Sequence, residues 1–260
     1  EAEEHVHEVA RVLSRYVDLI GVRAFPKFKR WEDDRQDKVI QGFARYATVP
    51  VINLETITHP CQELALALAM KERLGSLQGR KFLLTWTYHP KPLNTAVANS
   101  AVLIASKLGM DVTLLCPNEQ YLLDPRYMDA AKAYTAENGQ QFRVSHDIAE
   151  AYKGAEVVYA KSWGAIPYFG NWDAERPMRE TLQHFIVARD HRNGLPRAVL
   201  RTLIASRAQA RVDGTGRPAR NARSERQLWH QQHQHSGNNS QRPSHRGRHA
   251  LGDRKPPGDD

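Results

Sequence analysis

Four stretches of the chain concentrate side chains able to bind an anion or polarise a carbonyl. They are Arg23 after VDLIGV; Glu55 and then His59-Pro60-Cys61-Gln62 after VPVINL; Tyr88, His89 and Lys91 after KFLLTWT; and Lys161, Ser162 and Trp163 after AEVVYA. Each follows an apolar run of strand length, and open α/β sheets bind ligands beyond the carboxyl ends of their strands. Pro60 reads as the first residue of a helix, where its missing N–H costs nothing. That helix start adds unpaired N–H groups and the positive end of a dipole, suited to an anion or a carbonyl oxygen. Together these features predict a polar, cationic, concave site for a phosphorylated or carboxylated small molecule. Taken singly they have plainer readings, since His59 could cap its helix and Arg23 could pair with a surface acid. His59 and Cys61 are two positions apart, but Cys116, the other cysteine, falls in an expected strand, so no zinc site is expected. The absence of a P-loop or GxGxxG motif argues against a nucleotide enzyme.

The elements that must position these residues alternate. Residues 3–16 place Val6, Val9, Ala10, Leu13 and Tyr16 on one helical stripe, followed by a strand at 17–22. A charged surface helix is expected over 32–46 and a strand over 49–54. A helix from Pro60 stops at Gly75. The second half reads as strand 81–87, a long helix from about Pro92 to Gly109, strand 111–116, helix 124–138, strand 141–144, a short helix 147–153 and strand 155–160. The strands are continuous apolar runs, the pattern of parallel sheets covered on both faces. The fold class is therefore α/β, with parallel strands in two sheets or half-sheets. GSLQGR (75–80) marks the internal boundary, giving domains 1–75 and 76–187.

Composition sets the remaining bounds. The chain has 260 residues and is 41% hydrophobic, enough for a sizeable core, and its apolar runs are too short to span a membrane. Two cysteines cannot build a disulfide framework, so a reducing cytoplasm is expected; the acidic opening EAEEHVHEVA reads as internal sequence rather than a signal peptide. The net charge of +8 invites a nucleic-acid reading, but residues 188–260 alone hold 14 Arg and one Lys against six acids. That segment is rich in His, Gln, Gly and Pro and is expected to be a disordered Arg-rich tail, solvated or out of frame rather than RNA-binding.

HPCQ at 59–62 resembles the HPxQ motif of the aspartate and ornithine carbamoyltransferases, and ARVLSRYVDLIGVR resembles the segment before their carbamoyl-phosphate arginine. ETITHPCQELA, LTWTYHPKPLNTAVANSA, MDVTLLCP and VVYAKSWG are more similar to the N-acetylornithine carbamoyltransferases within that family, over about residues 1–187. The resemblance implies two doubly wound parallel-sheet α/β domains, the first incomplete, a homotrimer with its active sites at subunit interfaces, and a role in arginine biosynthesis. Position by position, it implies that Arg23, His59, Pro60, Cys61 and Gln62 bind carbamoyl phosphate, with Arg23 and His59 catalytic, and that Glu55 and Lys161 bind N-acetylornithine. It implies no cofactor, no metal, no membrane and no nucleic-acid partner. Ornithine or succinylornithine is the alternative acceptor within the family; a non-catalytic relic with a basic RNA-binding tail is the alternative outside it. Two family motifs are missing from the 260 residues: an S-x-R-T-R phosphate loop, and an HCLP-type motif where ARDHRNGLPRAVL follows QHFIV. Their absence leads to the expectation that this chain turns over little or not at all.

Overall fold

The computed structural model describes residues 2–187 and 200–202. In chain order the elements are α1 (Ala2–Leu13), β1 (Ile20–Arg23), α2 (Trp31–Asp34), α3 (Lys38–Tyr46), β2 (Val51–Glu55), α4 (Pro60–Leu74), β3 (Lys81–Trp86), α5 (Ala96–Lys107), β4 (Asp111–Leu115), α6 (Pro125–Glu137), β5 (Phe142–Ser145), α7 (Ile148–Tyr152), β6 (Val157–Lys161), α8 (Trp172–Thr181) and β7 (Leu200–Thr202). The fold is α/β, and every strand pair is parallel.

Strands β1 and β2 form one small sheet; the other sheet runs β5-β4-β3-β6-β7. In the larger sheet the chain winds outward from β3 to β5 and then returns to place β6 on the other side of β3. The β3/β6 junction is thus a switch point, the place where open α/β sheets bind their ligands. The core of this sheet is fully buried on both faces: Leu83, Leu84, Trp86, Leu114, Leu115 and Tyr159 are all inaccessible. The small sheet differs from the expectation of two covered faces. Ile20, Val22 and Ile40 make its core, while Ile52 and Leu54 on the opposite face are about two-fifths exposed.

Three local departures from the sequence pattern have identifiable causes. The expected helix over 32–46 is broken at Asp37, which adopts φ 50°, ψ 42° and accepts a 2.6 Å hydrogen bond from the Thr56 hydroxyl. Aspartate is among the few non-glycine residues that tolerate this left-handed conformation. The helix expected from Pro92 begins instead at Ala96, because Asn94 Oδ1 accepts from the Ala96 amide and holds 92–95 as a loop. Of the α1 stripe only Ala10 is buried; Val9, Leu13 and Tyr16 are exposed. The α1–α3 approach is close where Val6 meets Gly42, whose missing side chain leaves 2.6 Å between Val6 Cγ1 and the position a Cβ would take.

Helix α8 and strand β7 were not anticipated. The three residues of β7 pair with Val157–Tyr159 of β6, inside the segment read as a mostly disordered tail. The rest of that segment lies outside the described residues. Among those described, no helix is long and apolar enough to cross a membrane.

Candidate active site

The anticipated residues gather around one carboxylate. Arg23 and Glu55 are the last residues of β1 and β2 and stand in register across the parallel pair, with a shift in pairing just before Arg23. That places Arg23 Nη2 3.0 Å from Glu55 Oε2. His59 Nε2 lies 3.6 Å from the same oxygen. Lys161 ends β6, and its ammonium feels Glu55 as well: burial lowers its pKa below the ordinary lysine value and the Glu55 charge opposes that shift. A mostly exposed guanidinium and an imidazole thus meet at one carboxylate, and a largely buried ammonium lies within its field. Anionic ligands entering here meet cations whose counter-charge is spread thin.

The segment between β2 and α4 that carries Glu55 and His59 is clamped by polar side chains of the neighbouring loop and helix. Asn94 donates to the Thr56 carbonyl at 2.8 Å and Asn99 to the Ile57 carbonyl at 2.9 Å. The His59 backbone amide donates to Ser100 Oγ at 2.8 Å. Asn99 and Ser100, with Thr95 at the cap, are buried on a helix that up to Ala105 is otherwise Ala, Val, Leu and Ile. Polar residues on the inner face of an apolar helix are the signal in LNTAVANSAVLIA that sequence reading passed over.

Helix α4 begins with Pro60 at its first position, as expected, and its first-turn N–H groups open beside His59. Burial leaves His59 Nδ1 without a hydrogen-bond partner. Two motif residues do not converge on the carboxylate. Cys61 turns its thiol to the Asn53 carbonyl at 3.5 Å. Gln62 donates its amide N–H to the Tyr159 hydroxyl at 2.8 Å. Pro60 itself is exposed and offers only shape.

The strand-end loops on the β3/β6 side are held by a buried ion pair. Arg179 Nη2 lies 2.6 Å from Glu175 Oε1 one helical turn away. The same guanidinium donates to the carbonyls of His89 (3.1 Å) and Trp163 (2.9 Å). Glu175 Oε1 also accepts from the Ala165 amide at 3.0 Å. One side-chain pair on α8 therefore fixes both loops that flank Lys161. Nothing in WDAERPMRET distinguishes this pair from a solvated i,i+4 contact, so it was not legible.

With this geometry established, comparison with known proteins places the chain. It belongs to the aspartate/ornithine carbamoyltransferase family: residues 1–72 match the family's carbamoyl-P binding domain and residues 92–198 its Asp/Orn binding domain. Among its relatives, the N-acetylornithine carbamoyltransferase of Xanthomonas campestris pv. campestris is 67% identical over 189 residues, 72% of this chain and 56% of that protein. The ornithine carbamoyltransferase of Thermococcus kodakarensis is 37% identical over 164 residues, 63% of this chain and 47% of that one. A crystal structure of acetylornithine transcarbamylase complexed with acetylcitrulline superposes with a TM-score of 0.73 at 63% identity, covering 75% of this chain and 59% of that one. The chain thus spans about half the length of the relatives it matches.

Proposed function

We propose that these residues form the site for carbamoyl transfer from carbamoyl phosphate to the terminal amine of N-acetylornithine, a step of arginine biosynthesis. The observation that carries this reading is the Glu55-centred cluster, which draws Arg23, His59 and Lys161 from three strand ends to the start of α4. Arg23 and His59 are the catalytic residues in this reading. Their N–H groups polarise the carbamoyl carbonyl and stabilise the oxyanion that forms on it. The neutral amine attacks the carbamoyl carbon, the C–N bond forms, the C–O bond to phosphate breaks, and the amine's surplus proton departs. The products are acetylcitrulline and phosphate. Gln62 holds the carbamoyl NH₂, and the first-turn N–H groups of α4, at Cys61 and Gln62 behind Pro60, face the anionic donor.

On the acceptor side, Lys161 pairs with the α-carboxylate of N-acetylornithine while Glu55 orients the approaching amine. Acylation removes the α-ammonium of ornithine, leaving a carboxylate for which a lysine is the matching partner. The 67% identity to an N-acetylornithine enzyme against 37% to an ornithine enzyme supports the acylated substrate. In this reading residues 1–75 serve carbamoyl phosphate and 76–187 the amino acid. A cytoplasmic location is supported by two free cysteines. Homotrimeric assembly is part of the same proposal, supported by membership of the family.

Calorimetric titration tests the reading. Carbamoyl phosphate followed by N-acetylornithine should each give saturable heat, and Arg23→Ala should abolish the first. Ornithine should bind at least about tenfold more weakly than N-acetylornithine, the effect of one mismatched charge pair. Equal affinity for the two amino acids, or no response to Arg23→Ala, would overturn it.

A further inference from the structure

We propose that Tyr159 is a positioning residue: its phenol, set between Gln62 and Glu63, fixes which end of the Gln62 amide faces the carbamoyl group. This inference rests on the proposed function for its ligand and on geometry for everything else. Gln62 and Glu63 are consecutive on the first turn of α4, and Tyr159 lies on β6, two residues before Lys161. Gln62 Nε2 donates to the Tyr159 hydroxyl at 2.8 Å, and Tyr159 is completely buried. Glu63 is 2% exposed, and the Tyr159 hydroxyl is the group that acts on its otherwise unpartnered carboxyl.

A glutamine amide can present either end, and a phenol can either donate or accept. The Tyr159 oxygen carries one proton, so its direction decides the amide's direction. When the phenol's proton is given to Glu63, the oxygen is left to accept from Gln62 Nε2. Gln62 Oε1 then turns outward as an acceptor, the group that a carbamoyl NH₂ requires. When Glu63 carries its own proton it can donate to the phenol, which is then free to donate to Gln62 Oε1. The amide reverses and presents N–H groups to a ligand that offers N–H groups, and the match is lost.

The surroundings make Glu63 the controlling group. Burial pushes its carboxyl up to about 8, partly countered by the Tyr159 hydroxyl, while burial and the Glu63 charge together raise the Tyr159 phenol beyond its usual range. The elements packed against α4 bring few competing charges. On α5 the one titratable residue is Lys107, whose ammonium lies over the Tyr134 ring. On β2 it is Glu55, which faces Arg23 and His59. On β6, Lys161 is influenced by Glu55. Ionisation of Glu63 thus sets a two-state hydrogen-bond chain that ends at the carbamoyl site.

The experiment is an NMR titration of the chain without ligand, following Glu63 Cδ and the Gln62 side-chain amide from pH 6 to pH 9.5. Both should move with one midpoint near 8. In Tyr159→Phe, which keeps the ring against Phe82, Gln62 should cease to follow Glu63. In Glu63→Gln it should not titrate at all. At pH 9, where ionised Glu63 holds the wild-type amide in its matching direction, carbamoyl phosphate affinity should fall about fivefold in Tyr159→Phe, the loss of one neutral hydrogen bond. Gln62 titrating in Tyr159→Phe as in the wild type would overturn the proposal. Failure of carbamoyl phosphate to bind the wild type would instead remove the functional reading and leave the ligand-free titration as the test of the relay.

Discussion

The buried pair on α8 offers a quantitative test of how the acceptor side is built. Replacing Arg179 by Met removes the guanidinium from a site where the two side chains are 2% and 1% exposed. Glu175 is left charged and buried, which costs about 3–5 kcal/mol when one partner of a buried pair is deleted. Two features bring the expectation to the lower part of that range. Arg179 Nε and Glu175 Oε2 are already without partners, so the wild-type pair is imperfectly satisfied. The Trp163 carbonyl keeps a second donor, Trp86 Nε1 at 2.9 Å, after the guanidinium is gone. A loss of about 3 kcal/mol is a large part of a typical domain stability of about 5–15 kcal/mol. Urea denaturation followed by tryptophan fluorescence reads it, with Trp86 and Trp163 fully buried as reporters. Adding Glu175→Gln to Arg179→Met should restore about 2 kcal/mol, because the neutral amide oxygen can still accept from the Ala165 amide. A single-variant loss below about 1 kcal/mol, or a double variant equal to the sum of the singles, would refute the reasoning.

Three further outcomes are expected. Lys161→Asp should depress use or binding of N-acetylornithine by at least about tenfold more than that of ornithine, because it inverts the charge offered to the α-carboxylate; equal losses measured on both amino acids would remove Lys161 from specificity. In a longer chain that also carries the phosphate-loop and HCLP-type motifs, His59→Ala should lower kcat far more than it raises KM in transfer assays, since the imidazole acts on charge developing at the carbonyl; a kcat within about threefold of that chain's would make His59 a loop anchor instead. Glu63 holds its proton in the folded state up to about pH 8 and loses it near 4.5 when unfolded, so wild-type stability falls as pH rises through that window, by up to about 1.4 kcal/mol per unit. Glu63→Gln lacks this loss and should gain on the wild type between pH 5 and pH 7.5 in denaturation curves; a pH-independent difference would contradict the burial of an unsatisfied carboxyl.

Strands β3 and β6 were legible because both their faces are buried, which leaves apolar runs such as FLL and VVYA. Strand ends then located Arg23, Glu55, His59 and Lys161, since a parallel sheet aligns its carboxyl ends on one edge. What the pattern could not reveal depends on tertiary partners. The left-handed Asp37 that splits the expected helix is stabilised by Thr56, 19 positions away. Gln62 was expected in the site; its turn toward Tyr159 depends on a contact 97 positions distant. Arg179 and Glu175 read as surface charges until the carbonyls of His89 and Trp163 are seen around them.

The central claim is that both substrates meet at the Glu55 cluster, and site-resolved NMR with the two ligands tests it most directly. Carbamoyl phosphate should shift the Arg23 guanidinium, the His59 ring and the first-turn amides of α4, and N-acetylornithine should then shift the Lys161 ammonium. Saturating both ligands with these resonances unmoved, or with shifts confined to residues away from the ends of β1, β2 and β6, would contradict it.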